Sequence, residues 1–175
     1  MPVKKKATKK SLSAADGLAI AIQTEIEGYE FYKIAAQKSK DDGAKKMFLS
    51  LADDEVKHRD MLNDQYQLMI QGKDFKPFRK PPKSKFKVKS PVFSKEFLES
   101  KKKKNFEMSA LSIGIMLEQN AIDFYREQKE SSGDLKIKKF FADLAEWEGN
   151  HLRALIAQKR FLQRAIFDEA RFEPF

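Results

Sequence analysis

Two segments of this chain set a histidine three residues after a glutamate: Glu55 with His58, and Glu148 with His151. These are the only two histidines in the sequence. A helix puts residues i and i+3 on one face, so each pair would aim a carboxylate and an imidazole in one direction. A single pair of this kind is common on solvated helix faces. Here there are two, and each follows a further glutamate, Glu25 or Glu118, by 30 residues. Four carboxylates and two imidazoles at matched spacing are ligand chemistry for divalent metal.

The spacing belongs to a longer repeat. Shifted by 93 residues, LADDEVKH (51–58) falls on LAEWEGNH (144–151), and IAIQTEIEGYEFY (20–32) falls on IGIMLEQNAIDFY (113–125), with no gap. Read at alternating steps of four and three, the first copy gives the seams Leu18, Ile22, Glu25, Tyr29, Tyr32 and Phe48, Leu51, Glu55, His58, Leu62. The second gives Leu111, Ile115, Glu118, Ile122, Tyr125 and Phe141, Leu144, Glu148, His151, Leu155. Every apolar seam therefore carries a glutamate near its middle. Burying four unpaired carboxylates costs several kcal/mol each, together more than a domain's net stability. Shared protons, buried cations or metal must neutralise them. No Lys or Arg lies on the seams, and two divalent cations balance four negative charges. Tyr32 and Tyr125 sit on the same seams, where a buried tyrosine packs its ring and satisfies its hydroxyl. Asp53, Asp54, Glu146, Glu27 and Glu30 fall off the seams and are expected in solvent.

The elements that would position these groups are helices. Five of the six prolines lie in or beside two basic segments and the sixth is Pro174, which leaves long proline-free stretches rich in Ala, Leu, Glu and Lys. Breakers at Asp41-Asp42-Gly43 and Ser131-Ser132-Gly133-Asp134 divide them. The pattern predicts helices over 13–38, 43–71, 105–130 and 134–167, with Ser13 and Asp16 as a capping pair. The expected fold is all-α: a four-helix bundle over 13–167 made of two pseudo-symmetric hairpins. A long crossover over 73–104 joins them, a tail precedes them at 1–12, and another follows at 168–175.

Charge is divided along the chain. The net charge of +9 splits into +15 on residues 1–10 and 73–104 and −6 on the rest. Such basic segments suit a nucleic acid or an anionic surface, or serve solubility alone. Phe75, Phe78, Phe86 and Phe93 interleave with the crossover's charges and suggest that it packs along the bundle. Cysteine is absent, which excludes disulfides, thiolate metal sites and a thiol nucleophile. The longest apolar run, residues 111–117, is far short of a membrane span, and the basic start leads into no apolar signal region. A cytoplasmic location is expected.

With E-x6-Y on the first and third helices and LA-x-x-E-x-x-H on the second and fourth, the chain resembles the rubrerythrin and bacterioferritin branch of the ferritin-like superfamily over about 13–165. The resemblance implies a ferritin-like bundle holding two iron ions per subunit, with manganese or a mixed pair as the alternative. It implies Glu55 and Glu148 as bridges, Glu25 and Glu118 as terminal ligands, and His58 and His151 as one ligand to each metal. Tyr32 and Tyr125 would hydrogen-bond ligand carboxylates across the site. The implied activity is a di-iron oxidoreductase reducing hydrogen peroxide or dioxygen; a ferroxidase or a polyanion-binding protein are the alternatives. Two departures stand out. Rubrerythrins usually carry a four-cysteine iron domain, so a cysteine-free chain implies a separate electron donor, rubredoxin-like or a flavin reductase. Their extra glutamate, three residues after the third-helix one, is Ala121 here, with Gly28 at the equivalent place. The set is then closer to bacterioferritin's four Glu and two His, although none of Met61, Met69, Met108 and Met116 matches its haem ligand. A homodimer is expected by the same resemblance.

Overall fold

Ser13 opens the first helix with a reciprocal cap: the Asp16 N–H donates to its hydroxyl at 3.1 Å, and its own N–H donates to the Asp16 carboxylate at 3.2 Å. The computed structural model describes residues 13–76, 90–100 and 104–171. Its helices are α1 (Ala14–Lys38), α2 (Asp42–Ile70), α3 (Lys95–Glu99), α4 (Asn105–Ser131) and α5 (Leu135–Arg171). The four long helices form the ferritin-like bundle. Helix α1 packs along α2 and α4 along α5, α1 also meets α4, and α3 lies on α5. No helix among the described residues is long and apolar enough to cross a membrane.

The apolar side chains form two clusters at opposite ends of the bundle. Tyr32, Phe48, Leu51, Leu111 and Leu155 belong to one, and Leu18, Leu62, Tyr125, Phe141 and Leu144 to the other. Shifting by 93 residues carries one set onto the other, which makes the sequence repeat a structural pseudo-two-fold. Each fully buried Leu or Phe contributes about 1.5–3 kcal/mol, so the clusters clamp both ends of whatever lies between them. What lies between them is the carboxylates.

The described parts of the crossover pack on the bundle, as Phe75 and Phe93 suggested, and add a short helix, α3, to the link expected over 73–104. Its described ends are fastened by a symmetric pair of buried glutamines. Gln65 accepts the Lys76 N–H at 3.0 Å; Gln158 accepts the Val92 N–H at 2.8 Å and donates to the Ser90 carbonyl at 3.1 Å. Phe75 packs edge-on against Phe140, and Phe93 and Phe97 enter the first cluster. The ends thus meet α5 near residues 140 and 158, roughly 27 Å apart at 1.5 Å per residue. Helix α3 arises where the Ser94 hydroxyl caps the Phe97 N–H at 3.1 Å, while Asp41 accepts the Ser94 N–H at 2.9 Å. Phe78, Phe86 and nine of the crossover's thirteen basic residues lie outside the described residues, as does the tail 1–12. The C-terminal boundary also moves, since α5 continues past 167 to Arg171. No breaker intervenes there, and Glu169 meets the buried Lys104 ammonium at 3.1 Å.

Candidate metal centre

Glu25 on α1, Glu55 and His58 on α2, Glu118 on α4, and Glu148 and His151 on α5 are all buried, none more than 4% exposed. They converge as two overlapping clusters. Glu25, Glu55, His58 and Glu148 have ligand atoms within 4.8 Å of one another, and so do Glu55, Glu118, Glu148 and His151. Glu55 and Glu148 belong to both clusters, and each cluster draws on both hairpins.

Glu148 stands at the hub, its carboxylate oxygens 2.8 Å from His58 Nδ1 and 3.1 Å from His151 Nδ1. Glu25 lies 3.2 Å from His58 Nδ1, and Glu118 lies 3.7 Å from His151 Nδ1. Proximity here does not mean pairing. Both Glu148 oxygens and His151 Nδ1 are fully buried without an aligned hydrogen-bond partner among the described residues. Buried ligand atoms gathered within 4.8 Å of one another and left without an aligned donor are what a metal position requires, because an orphaned buried polar atom otherwise costs about 1–3 kcal/mol. The donor set fits a pair of divalent ions.

Without metal, protons must do the neutralising. Burial raises the Glu55 and Glu118 carboxyls well above the usual range, and the neighbouring glutamates, Glu25 and Glu148 respectively, add to the rise. Burial opposes charge on both imidazoles. The carboxylates outweigh it: Glu148 and Glu25 raise His58 well above 6.5, and Asp54, Glu148 and Glu118 raise His151 to about 10. Burial likewise opposes charge on Glu148, but the two imidazolium rings hold its carboxyl well below the ordinary value.

Each tyrosine reaches over to the opposite hairpin. The Tyr32 hydroxyl of α1 donates to Glu118 on α4, and the Tyr125 hydroxyl of α4 donates to Glu25 on α1. Gly114 makes one crossing feasible, since a Cβ there would stand 3.3 Å from the Tyr32 hydroxyl oxygen. Burial and then the accepting glutamate raise both phenols, so they remain donors. Removing either hydroxyl strands a buried carboxylate oxygen. Tyr32→Phe and Tyr125→Phe should each lower the unfolding free energy of metal-free protein by about 1–3 kcal/mol in urea. Unchanged midpoints would show that the hydroxyls are idle.

Asp54, expected in solvent, is partly buried instead, and its Oδ2 lies 3.4 Å from His151 Nε2. It projects from α2 toward α5, a direction that depends on how the helices are set against each other rather than on the seam. Trp147 stacks on His58 with ring centroids 4.8 Å apart. Both residues immediately precede a hub glutamate, and that adjacency was the available signal. Asp53, Glu146, Glu27 and Glu30 are exposed as expected.

The family model described as Rubrerythrin matches residues 16–159. No curated protein matches significantly. Among solved structures, a hypothetical protein from Pyrococcus furiosus is similar at 26% identity with a TM-score of 0.66, over 90% of this chain and 94% of that one.

Proposed function

The chain belongs to the rubrerythrin family, and from that premise we propose that it is a di-iron carboxylate oxidoreductase that reduces hydrogen peroxide and, more slowly, dioxygen. The observation that carries the reading is the orphaned Glu148 carboxylate between two histidines, flanked by Glu25, Glu55 and Glu118. A bound ferrous pair would supply two electrons, which with two protons convert hydrogen peroxide to two waters.

The chain's own residues do the rest. Glu55 and Glu148 would bridge, Glu25 and Glu118 would bind terminally, and His58 and His151 would hold one ion each. The crossed hydroxyls of Tyr32 and Tyr125 keep the terminal carboxylates in one rotamer. The two apolar clusters keep bulk water from the centre, which strengthens every charge interaction inside it. A separate electron donor, rubredoxin-like or a flavin reductase, completes the cycle, and the working form is a cytoplasmic homodimer.

Selectivity between oxidants follows from what flanks the site. Gly28 adjoins Glu55 and Ala121 is buried at the equivalent position, so neither supplies a fifth carboxylate. A set of four Glu and two His keeps one imidazole for each ion in both oxidation states. Such a symmetric ligand set distinguishes peroxide from dioxygen weakly. After anaerobic loading with two ferrous ions per chain, stopped-flow oxidation should be about tenfold faster with peroxide, about 1.4 kcal/mol of barrier. An inert response to dioxygen beside millisecond reaction with peroxide would refute the selectivity argument. Uptake of many more than two irons per chain would favour a ferroxidase.

A further inference from the structure

We propose that the two metal positions are unequal, because Asp54 stands behind His151 where its pseudo-symmetric counterpart, Trp147, stands behind His58. The 93-residue shift that superposes every proposed ligand also superposes these two residues, one position before Glu55 and Glu148. The six ligands keep the two-fold. The residues supporting the histidines break it.

The supports differ in kind. Asp54 Oδ2 faces the outer nitrogen of His151 at 3.4 Å, and its other oxygen is held by the Lys57 ammonium at 2.5 Å. A carboxylate there fixes the tautomer that leaves Nδ1 free for metal, orients the ring, and makes the ligand more basic. Among the described residues, the carboxylates within ion-pair reach of His58 (Glu25, Glu55 and Glu148) all face its Nδ1. Trp147 covers that ring nearly face to face, with planes 19° apart. Stacking restrains the plane of the imidazole but supplies no carboxylate to its outer N–H.

Supports of the carboxylate kind are worth ten- to a hundredfold in metal affinity. The Glu118–His151 position therefore fills first and holds its ion, while the Glu25–His58 position binds ten- to a hundredfold more weakly. It is the position at which an ion is exchanged or a different divalent metal enters. Asp54 is a positioning residue: it acts on the metal through His151.

This inequality rests on the metal-centre reading, and one titration separates the two. Metal-free full-length protein is titrated with Mn2+ under anaerobic conditions and followed by calorimetry. The expected isotherm has two steps of one ion each, with dissociation constants at least tenfold apart. Asp54→Asn should weaken the tighter step alone and bring the two within about threefold, and Asp54→Glu should restore part of the gap. Trp147→Asp should tighten the weaker step, a gain that no loss of structural support produces, whereas Trp147→Phe should leave it unchanged. Two ions bound in a single class would overturn the inequality and leave the centre standing. A Trp147→Asp protein that binds two ions with an unchanged weaker step would also overturn it. No Mn2+ bound at all would overturn the centre itself.

Discussion

Metal-loaded protein should melt roughly 10–20 °C above the metal-free chain, and Glu148→Gln should abolish that difference. A ligand that binds only the folded state at a hundred times its dissociation constant adds about 2.7 kcal/mol, so two ions add roughly 5. A chain of this length gains roughly 2–4 °C per kcal/mol. Glu148 belongs to both clusters and approaches both imidazoles, so replacing its charge with an amide removes a ligand from both positions at once. Glu55→Gln supplies the contrast. In metal-free protein Glu55 is held protonated by burial and by Glu25, Glu148 and Glu118, so an amide there replaces an already neutral group. Its metal-free melting temperature should hold or rise. Glu148, ionised between two imidazolium rings, should give a fall on the same substitution. Calorimetry of both variants, metal-free and loaded, reads the signs; equal shifts in the metal-free forms would refute this charge assignment.

Metal-free protein should also lose stability steeply between pH 6.5 and 10. A histidine at about 10 in the folded chain and 6.5 in the unfolded one, as His151 is, binds its proton more tightly when folded. Its contribution is complete below pH 6.5 and gone once pH passes 10, and His58 acts in the same direction. Glu55 and Glu118, raised above 4.5, also favour the folded state less as pH rises. Glu148 has the opposite sign, contributing above pH 4.5 and failing only in strong acid. The metal-free chain should therefore be most stable near pH 4.5, where Glu148 is ionised and Glu55 and Glu118 have yet to lose their contribution, and weaken from there toward 10 by several kcal/mol. Bound metal displaces those protons, so loaded protein should hold its melting temperature across the same window. A metal-free profile flat from pH 6.5 to 10 would show that the histidines are neutral in the folded chain.

The helices and the convergence of the six proposed ligands could be read from residue order because both follow local rules. Prolines kept the four long helices out of the basic segments, and a glutamate recurring on an apolar seam had to point inward. Other features depended on geometry between helices. The seam placed Tyr32 inside without revealing that its hydroxyl crosses to Glu118. Asp54 lies off its own seam, yet it faces α5 and reaches His151. Helix α3 lies in a lysine-rich stretch with weak helical character of its own. It depends on Phe93 and Phe97 entering the core and on Asp41 holding Ser94 from another part of the chain. Trp147 was hidden for a different reason: a repeat draws attention to positions that match, and this one does not.

Each cluster takes a carboxylate from the opposite hairpin, and each tyrosine donates across the two-fold. Neither hairpin is complete alone, but two copies of either one would supply the whole constellation. In a dimer of identical hairpins every inherited change appears twice, once on each side of the axis, and selection can only accept or reject the pair. Joining both hairpins in one polypeptide removes that constraint. A substitution can then alter one half while its counterpart stays as it was, as an aspartate in one copy and a tryptophan in the other attest. The crossover, fastened at both ends by Gln65 and Gln158, is therefore more than a connector. It is what allows the two sides of a symmetric site to evolve apart.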